Sequence, residues 1–104
     1  MSIDGTTEPA DLDLGAVLAA LADPHRRQVI GDLVNDADGA ARSCTSFGLA
    51  LSKSTRSHHF KVLRDAGLVH QIDRGNRSEV TLRRRDLEQR FPGLLELIGR
   101  ERRG

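Results

Sequence analysis

The sequence predicts a small, mainly helical α+β domain that carries a single β-hairpin. Its 104 residues fit one compact domain. Apolar residues recur at helical spacing before Gly67 and again towards the C-terminus, whereas two short segments between these regions alternate apolar and polar residues. These patterns predict the order helix, helix, short helix, helix, strand, strand, helix.

The first two helices are predicted from their apolar spacing and their caps. Leu14, Val17, Leu18 and Leu21 recur at helical spacing after an aspartate that can cap the start. Asp23 followed by Pro24 then opens a second helix, because aspartate is a good N-cap and proline is tolerated at the first helical position. Residues 1–10 are expected to form a flexible arm, and residues 11–104 the folded domain.

The middle of the chain is predicted to contain a short helix over residues 41–47 and a longer one that Ser52 caps. The longer helix runs from residue 53 to about residue 66, where Gly67 supplies a left-handed C-cap. Residues 68–72 and 78–82 then alternate as two strands, and the Gly75-Asn76 pair between them permits a tight hairpin.

The last helix is predicted over Leu87 to Ile98, with a kink or a break at Pro92-Gly93. Its apolar face and that of the first helix together exceed what one small core can cover, so we expect a homodimer. The residues predicted to form the dimer contact are Leu14, Val17, Leu18, Leu21, Phe91, Leu94, Leu95 and Ile98.

Charge is distributed unevenly along the chain, although the net charge is only +1. Residues 1–38 contain eight acids and two bases, a balance of −6, whereas residues 53–85 contain nine bases and three acids, a balance of +6. Such an asymmetry indicates a segment that meets a polyanion, although a solvated basic face is the simpler alternative.

The helix after Ser52 separates an apolar face from a face of hydroxyls and cations. Phe60 and Leu63 anchor it to the core, whereas Lys53, Ser54, Ser57, His58 and Lys61 point away. Short polar side chains suit base edges in a major groove, and cations suit phosphates. The hairpin tip adds Arg74, Asn76 and Arg77, which suit the DNA backbone or a narrow minor groove.

The stretches LADPHRR (residues 21–27) and LSKSTRSHHFKVLRDAGLV (residues 51–69), together with the hairpin at Gly75, resemble the ArsR family of winged helix-turn-helix repressors. The similarity covers about residues 17–82. It implies a homodimer, joined by the first and last helices, that binds palindromic double-stranded DNA. It also assigns operator recognition to Lys53, Ser54, Thr55, Ser57 and His58, and the wing role to Arg74, Asn76 and Arg77.

Two residues of this helix need separate treatment. The family pattern usually has an apolar residue where this chain has Arg56, and we expect Arg56 to reach a phosphate. His59 lies beside Phe60 on the inward face, where a hydrogen-bonded structural histidine is favoured over a base-reading one.

No cofactor is predicted, because the usual metal-binding motifs of the family are absent, whereas a metal effector bound by other residues is left open and the effector is unknown. Cys44 is the single cysteine, so it has no Cys-x-Cys partner, and no histidine follows Asp86. Cys44 near the start of a helix is a candidate thiol sensor, and a half-buried filler is an equal alternative.

Other functions are less well supported by the sequence. No catalytic triad order, glycine-rich phosphate loop or paired-carboxylate spacing is visible, so we expect no enzyme. A winged-helix protein-interaction module without DNA binding is the main alternative. RNA binding is disfavoured because the chain has only three aromatic residues for base stacking, all phenylalanine.

A single cysteine and the absence of a secretory signal or a membrane-length apolar run favour a cytoplasmic location.

Overall fold

The computed structural model describes residues 11–104. It contains five helices and a three-stranded sheet in this part of the chain. In chain order these are α1 (Leu14–Ala22), α2 (Pro24–Asn35), β1 (Ala41–Ser43), α3 (Lys53–Asp65), β2 (Val69–Asp73), β3 (Ser78–Leu82), α4 (Arg84–Arg90) and α5 (Leu94–Arg103). The arm predicted over residues 1–10 lies outside the described residues.

The predicted starts of α2 and α3, and the end of α3 before Gly67, are confirmed by their caps. The Asp23 carboxylate accepts hydrogen bonds from the backbone N–H groups of His25 and Arg26 at 2.8 and 3.2 Å and begins α2. The Ser52 hydroxyl accepts from the Thr55 N–H at 3.2 Å and begins α3. Gly67 follows α3 with a φ of +85°, a backbone conformation that favours glycine. Pro92-Gly93 divides the C-terminal helix into α4 and α5, as the sequence predicted.

The short helix predicted over residues 41–47 is wrong. Residues Ala41–Ser43 form β1, and a turn follows them up to Phe47. The reason lies elsewhere in the chain, because β1 pairs with the outer edge of β3 and its register places Ala41 opposite Thr81 and Ser43 opposite Glu79. A three-residue strand carries no usable periodicity, and its partner is distant in sequence.

The sheet has the order β1-β3-β2, and both pairings are antiparallel. β2 and β3 form the predicted hairpin, with Val69 opposite Leu82 and Asp73 opposite Ser78. The hairpin therefore extends away from the helices as a wing, with residues 74–77 at its tip. The observed architecture is a winged helix-turn-helix fold.

The core is mainly aliphatic and lies between the helices and the inner side of the sheet. Its largest fully buried side chains are Phe60, Ile30, Leu63, Leu68, Leu87, Leu95, Val17, Val29, Val69 and Val80. α2 packs extensively against α5, and α3 contacts α1, α2 and β2. The recognition helix predicted from the sequence is thus held by three elements while one of its faces remains in solvent.

None of the helices among residues 11–104 is long and apolar enough to cross a membrane.

Candidate nucleic-acid interface

α3 presents its polar face to solvent because its apolar residues are fixed in the core. Phe60 is 1% exposed and its ring centroid lies 5.9 Å from that of Phe47, while Leu63 is fully buried. His59 is also buried, on the inward side, as the sequence predicted. The predicted DNA-facing residues on the opposite side are all exposed: Lys53, Ser54, Thr55, Ser57, His58 and Lys61.

The wing presents its basic residues in a defined turn. The Arg74 N–H donates to the Arg77 carbonyl at 2.7 Å, and the Gly75 N–H donates to the Asp73 carboxylate at 2.8 Å. Arg74, Asn76 and Arg77 are all exposed. Glu79 on β3 contacts both arginines, at 3.2 Å from Arg74 Nε and 2.8 Å from one terminal nitrogen of Arg77. This shared carboxylate was not anticipated from the sequence.

A concave surface joins α3 to the wing. The cleft has a volume of about 610 Å³ and is bordered by α3, the hairpin and the turn after β1. Its lining contains one acid, Asp73, and five cations, namely Lys53, Arg56, Lys61, Arg64 and Arg77. We call this surface the basic cleft. Half-buried Arg56 lies within it, where a phosphate contact stays a prediction.

Arg64 belongs to the basic cleft but was not predicted as a site residue. Its terminal nitrogen donates to the side-chain oxygen of Gln71 on β2 at 2.8 Å, which holds α3 against the wing. The available signal was its spacing, because Arg64 follows Lys61 by three residues and so lies on the same side of the helix.

Of the three consecutive arginines after β3, residues 83–85, two have side chains that are held within the domain. Arg83 is 5% exposed and contacts the Asp86 carboxylate at 3.1 Å. Arg84 donates to the carbonyls of Leu33 and Val34 at 3.2 and 3.1 Å, at the end of α2. Both side chains therefore bind other groups of the same domain. Of the three arginines, only Arg85 is exposed to solvent.

Cys44 lies in the turn after β1, not at a helix start. Its N–H donates to the Ser78 carbonyl at 3.0 Å, and its side chain is half-buried in the wall of the basic cleft. Burial raises the pKa of the Cys44 thiol above its ordinary value, although the positive charges of Arg56 and Arg64 oppose this. The helix dipole invoked for a reactive thiolate is therefore absent at this residue, and its sensor role stays a prediction.

A polar cluster lies where α2 begins beside α3. Asp23, His25 and His59 each place one side-chain donor atom within 4.8 Å of the others. Burial lowers the pKa of His59, with the Asp23 charge acting in the opposite direction. Burial also tends to raise the pKa of Asp23, but its hydrogen bonds from Arg26 and His25 hold that pKa below its ordinary value. The spacing of these three residues in the sequence did not predict that they would form a cluster.

Arg26 connects this cluster to the end of α1. Its terminal nitrogen lies 3.1 Å from His59 Nδ1, and its Nε donates to the Ala20 carbonyl at 2.7 Å. Because a guanidinium only donates, the His59 Nδ1 must accept, so the neutral ring carries its proton on Nε2. The predicted structural, hydrogen-bonded environment of His59 is present.

The residues predicted for the dimer contact divide into two groups. The first group, Val17, Leu21, Leu95 and Ile98, is buried in the core of the same chain, and each residue is at most 5% exposed. These four residues are therefore not on the surface where a partner could contact them. Leu14 and Leu18 are 47% and 50% exposed, and Phe91 and Leu94 are half-buried. Leu97, at 65% exposed, was missed, although it follows Leu94 at helical spacing. We call the surface formed by Leu14, Leu18, Phe91, Leu94 and Leu97 the α1–α5 apolar face.

Comparison with known proteins gives consistent matches. A family model described as a helix-turn-helix domain matches residues 21–72, which include α2, α3 and most of β2. The HTH-type transcriptional regulator YceK of Bacillus subtilis (strain 168), itself uncharacterized, is 33% identical over 84 residues, which are 79% of this chain and 82% of YceK.

Two solved structures share the fold. Reduced HlyU from Vibrio cholerae N16961 superimposes with a TM-score of 0.64 at 26% identity, over 84% of this chain and 85% of HlyU. An ArsR-like transcriptional regulator from Rhodococcus sp. RHA1 gives a TM-score of 0.58 at 28% identity, over 85% of this chain and 80% of that protein. The chain therefore belongs to the ArsR family of winged helix-turn-helix transcriptional regulators, which bind DNA.

Proposed function

We propose that this chain is a sequence-specific repressor that binds a palindromic DNA operator as a homodimer. The observation that supports the proposal is the basic cleft, a concave surface lined by Ser57 and four cations of α3 together with Arg77 of the wing. An α-helix fits the major groove of B-DNA, and the adjoining strand of phosphates then passes through the positively charged concave surface.

The residues of the interface have separable roles. Ser57, exposed on the outward face of α3, has a short hydroxyl that suits a base edge. Lys61, one turn further on, forms an ion pair with Asp65 and lines the basic cleft, where it suits a phosphate. Base contacts determine sequence preference, whereas phosphate contacts contribute to binding of every sequence.

The experiment is a fluorescence-anisotropy titration of promoter DNA and of a scrambled duplex across a range of salt concentrations. Ser57→Ala should reduce the preference for the promoter, at a cost of about 0.5–1.5 kcal/mol on that sequence alone, the contribution of one neutral hydrogen bond. Lys61→Ala should weaken binding to both duplexes and lower the salt slope by about one. Arg102→Ala is the matched control, because Arg102 is an exposed cation on α5 that forms an ion pair with Asp32 and lies outside the basic cleft.

Wild-type protein that binds both duplexes equally would contradict sequence-specific recognition. Equal effects of Ser57→Ala and Lys61→Ala on preference and salt slope would contradict the assigned roles. Repression is tested with a reporter gene downstream of the promoter, where loss of the regulator should raise expression and unchanged or lower expression would refute it.

The proposed partner at the α1–α5 apolar face is a second copy of the chain. The face combines residues from the two ends of the domain, and its rim carries the ion pair between Arg27 and Glu101, at 2.7 Å. Large exposed side chains such as Leu97 and Leu18 lose apolar area to solvent unless another surface covers them. A two-fold dimer would place two α3 helices about 34 Å apart, one turn of DNA.

Sedimentation equilibrium at micromolar protein tests this contact. Leu97→Glu should convert the dimer to a monomer, because it would bury a charge between two apolar faces. Ile72→Glu is the control, since Ile72 is 46% exposed on the wing, away from this face. A monomeric wild type, or a Leu97→Glu variant that stays dimeric, would refute the proposed contact.

A further inference from the structure

We propose that Asp23, His25 and His59 form a binding site for one divalent transition-metal ion of the Zn²⁺, Co²⁺ or Ni²⁺ class. One donor atom from each residue lies within 4.8 Å of the other two. Two imidazoles and one carboxylate form a donor set that suits these ions, with water completing the coordination. The three residues come from the start of α2 and from the inward side of α3.

The geometry needs only small side-chain movements to receive an ion. In tetrahedral coordination neighbouring ligand atoms lie about 3.3 Å apart, as follows from metal–ligand distances near 2.0–2.1 Å. His25 Nδ1 already lies 3.6 Å from Asp23 Oδ1, and the ring centroids of His25 and His59 lie 5.8 Å apart. His25 has a side chain that is 45% exposed, so its ring can rotate and an ion can enter from solvent.

The fold restrains the side chains of two proposed ligands, Asp23 and His59, before an ion binds. Asp23 is the N-cap of α2, and its Oδ1 accepts two backbone N–H groups, which hold the carboxylate in place. His59 is only 8% exposed and packs within α3 beside Phe60. Both side chains are therefore restrained before an ion binds, which lowers the entropy cost of assembling the site.

The Arg26 side chain competes with a metal ion for the ring nitrogen of His59. Its guanidinium donates to His59 Nδ1 at 3.1 Å. An ion at Nδ1 displaces that hydrogen bond, and an ion at Nε2 requires the remaining ring proton to move to Nδ1, which can then no longer accept. Metal binding at either nitrogen of His59 consequently breaks the contact with Arg26.

Breaking this contact removes one of the links between α1 and α3. Arg26 also donates from Nε to the Ala20 carbonyl at 2.7 Å, so it joins the end of α1 to α3. α1 contributes to the α1–α5 apolar face, and α3 is the proposed recognition helix. We expect a bound ion to loosen α3 relative to α1 and to weaken DNA binding. This coupling rests on the proposed function, whereas the metal site does not.

The metal site is tested by titrating Co²⁺ into the full chain and following its d–d absorption, with Zn²⁺ as competitor. The wild type should bind one equivalent at micromolar concentrations, and Zn²⁺ should displace Co²⁺. His25→Ala and Asp23→Asn should each weaken binding by about tenfold or more, since even outer-shell changes cost 10–100-fold. Asparagine preserves the N-cap, so Asp23→Asn removes charge while keeping the helix start.

The matched control is His70→Ala, which removes an exposed histidine on β2 and should leave Co²⁺ binding unchanged. Equal Co²⁺ affinity of wild type and His25→Ala would overturn the site, and so would the absence of any absorption change. A thiolate charge-transfer band that disappears in Cys44→Ser would also overturn it, because the ion would then be bound elsewhere.

The coupling is tested by measuring DNA affinity with Zn²⁺ and with a chelator. Zn²⁺ should weaken promoter binding by the wild type at least about threefold and leave His25→Ala unaffected. Unchanged DNA affinity with the ion bound would overturn the coupling alone. Failure of the metal-free wild type to bind DNA would instead refute the proposed function, while the Co²⁺ titration would still decide the site.

Discussion

The crossing of α2 and α5 depends on two glycines that face each other's helix. A Cβ built at Gly31 in α2 would lie 2.7 Å from Arg102 Cβ and 3.0 Å from Arg102 Cγ. A Cβ at Gly99 in α5 would lie 2.7 Å from a methyl group of Val34. The first obstacle at Gly31 is a Cβ, which no rotamer change can move aside. We therefore expect Gly31→Ala to push the two helices apart.

The magnitude follows from two opposing effects. A carbon–carbon distance of 2.7 Å is about 1 Å shorter than the optimal ~3.5–4.0 Å. Overpacking of this kind costs about 1–3 kcal/mol, whereas replacing glycine by alanine inside a helix gains up to ~1 kcal/mol. Separation of the helices would also lengthen the ion pair between Arg102 and Asp32, now 2.6 Å. We expect a net loss in the free energy of unfolding of about 1–2 kcal/mol.

Thermal unfolding followed by circular dichroism is a suitable assay. The expected loss corresponds to a fall in Tm of roughly 5–10 °C for a domain of this size. Protomer concentration must be the same in all samples, because dimerisation adds to the apparent stability. Gly15→Ala is the control, since among residues 11–104 its added Cβ meets only the exposed Asp13 Oδ2 within 4 Å, apart from its neighbours and its own helix backbone. An unchanged or higher Tm for Gly31→Ala would refute the close-approach argument.

Three further predictions concern the interface and the core. Because burial raises the pKa of the Cys44 thiol, Cys44 should react with iodoacetamide at neutral pH more slowly than a free cysteine, whereas fast reaction at neutral pH would support a sensor role. Glu79→Gln removes a negative charge shared by Arg74 and Arg77, so DNA affinity at low salt should rise about threefold; a fall in anisotropy titrations would mean that Glu79 orients the arginines. Phe60→Ala should lower the free energy of unfolding in urea by about 3–5 kcal/mol, whereas a loss below 1 kcal/mol would contradict its packing role.

Local chemistry made much of the fold predictable. The caps Asp23 and Ser52 accept hydrogen bonds from N–H groups two or three residues ahead, so each cap can be predicted from a short stretch of sequence. The left-handed Gly67 and the hairpin tip at Gly75 are equally local, because a short segment alone determines the backbone conformation it needs. The same holds for the outward face of α3, which follows from helical periodicity and the anchoring of Phe60.

The partners of charged and apolar residues were decided by the tertiary structure. The sequence could not show that Arg84 would cap the end of α2, or that Glu79 would pair with both wing arginines. It also could not divide the apolar residues of α1 and α5, of which Val17 joins the chain's own core and Leu97 stays in solvent. Periodicity identifies a face of a helix, but only packing determines what that face meets.

By itself, the sequence determined the helix caps, the hairpin and the polar face of the recognition helix, because each depends on residues close together in the chain. It also determined the family, through the motifs at residues 21–27 and 51–69. The tertiary structure alone decided that residues 41–43 form a strand, since the edge of β3 supplies their hydrogen-bond partners. It alone also brought His59 to Asp23 and His25 across 34 residues of sequence or more. Contacts between distant residues arise from packing of whole elements, which no local pattern records.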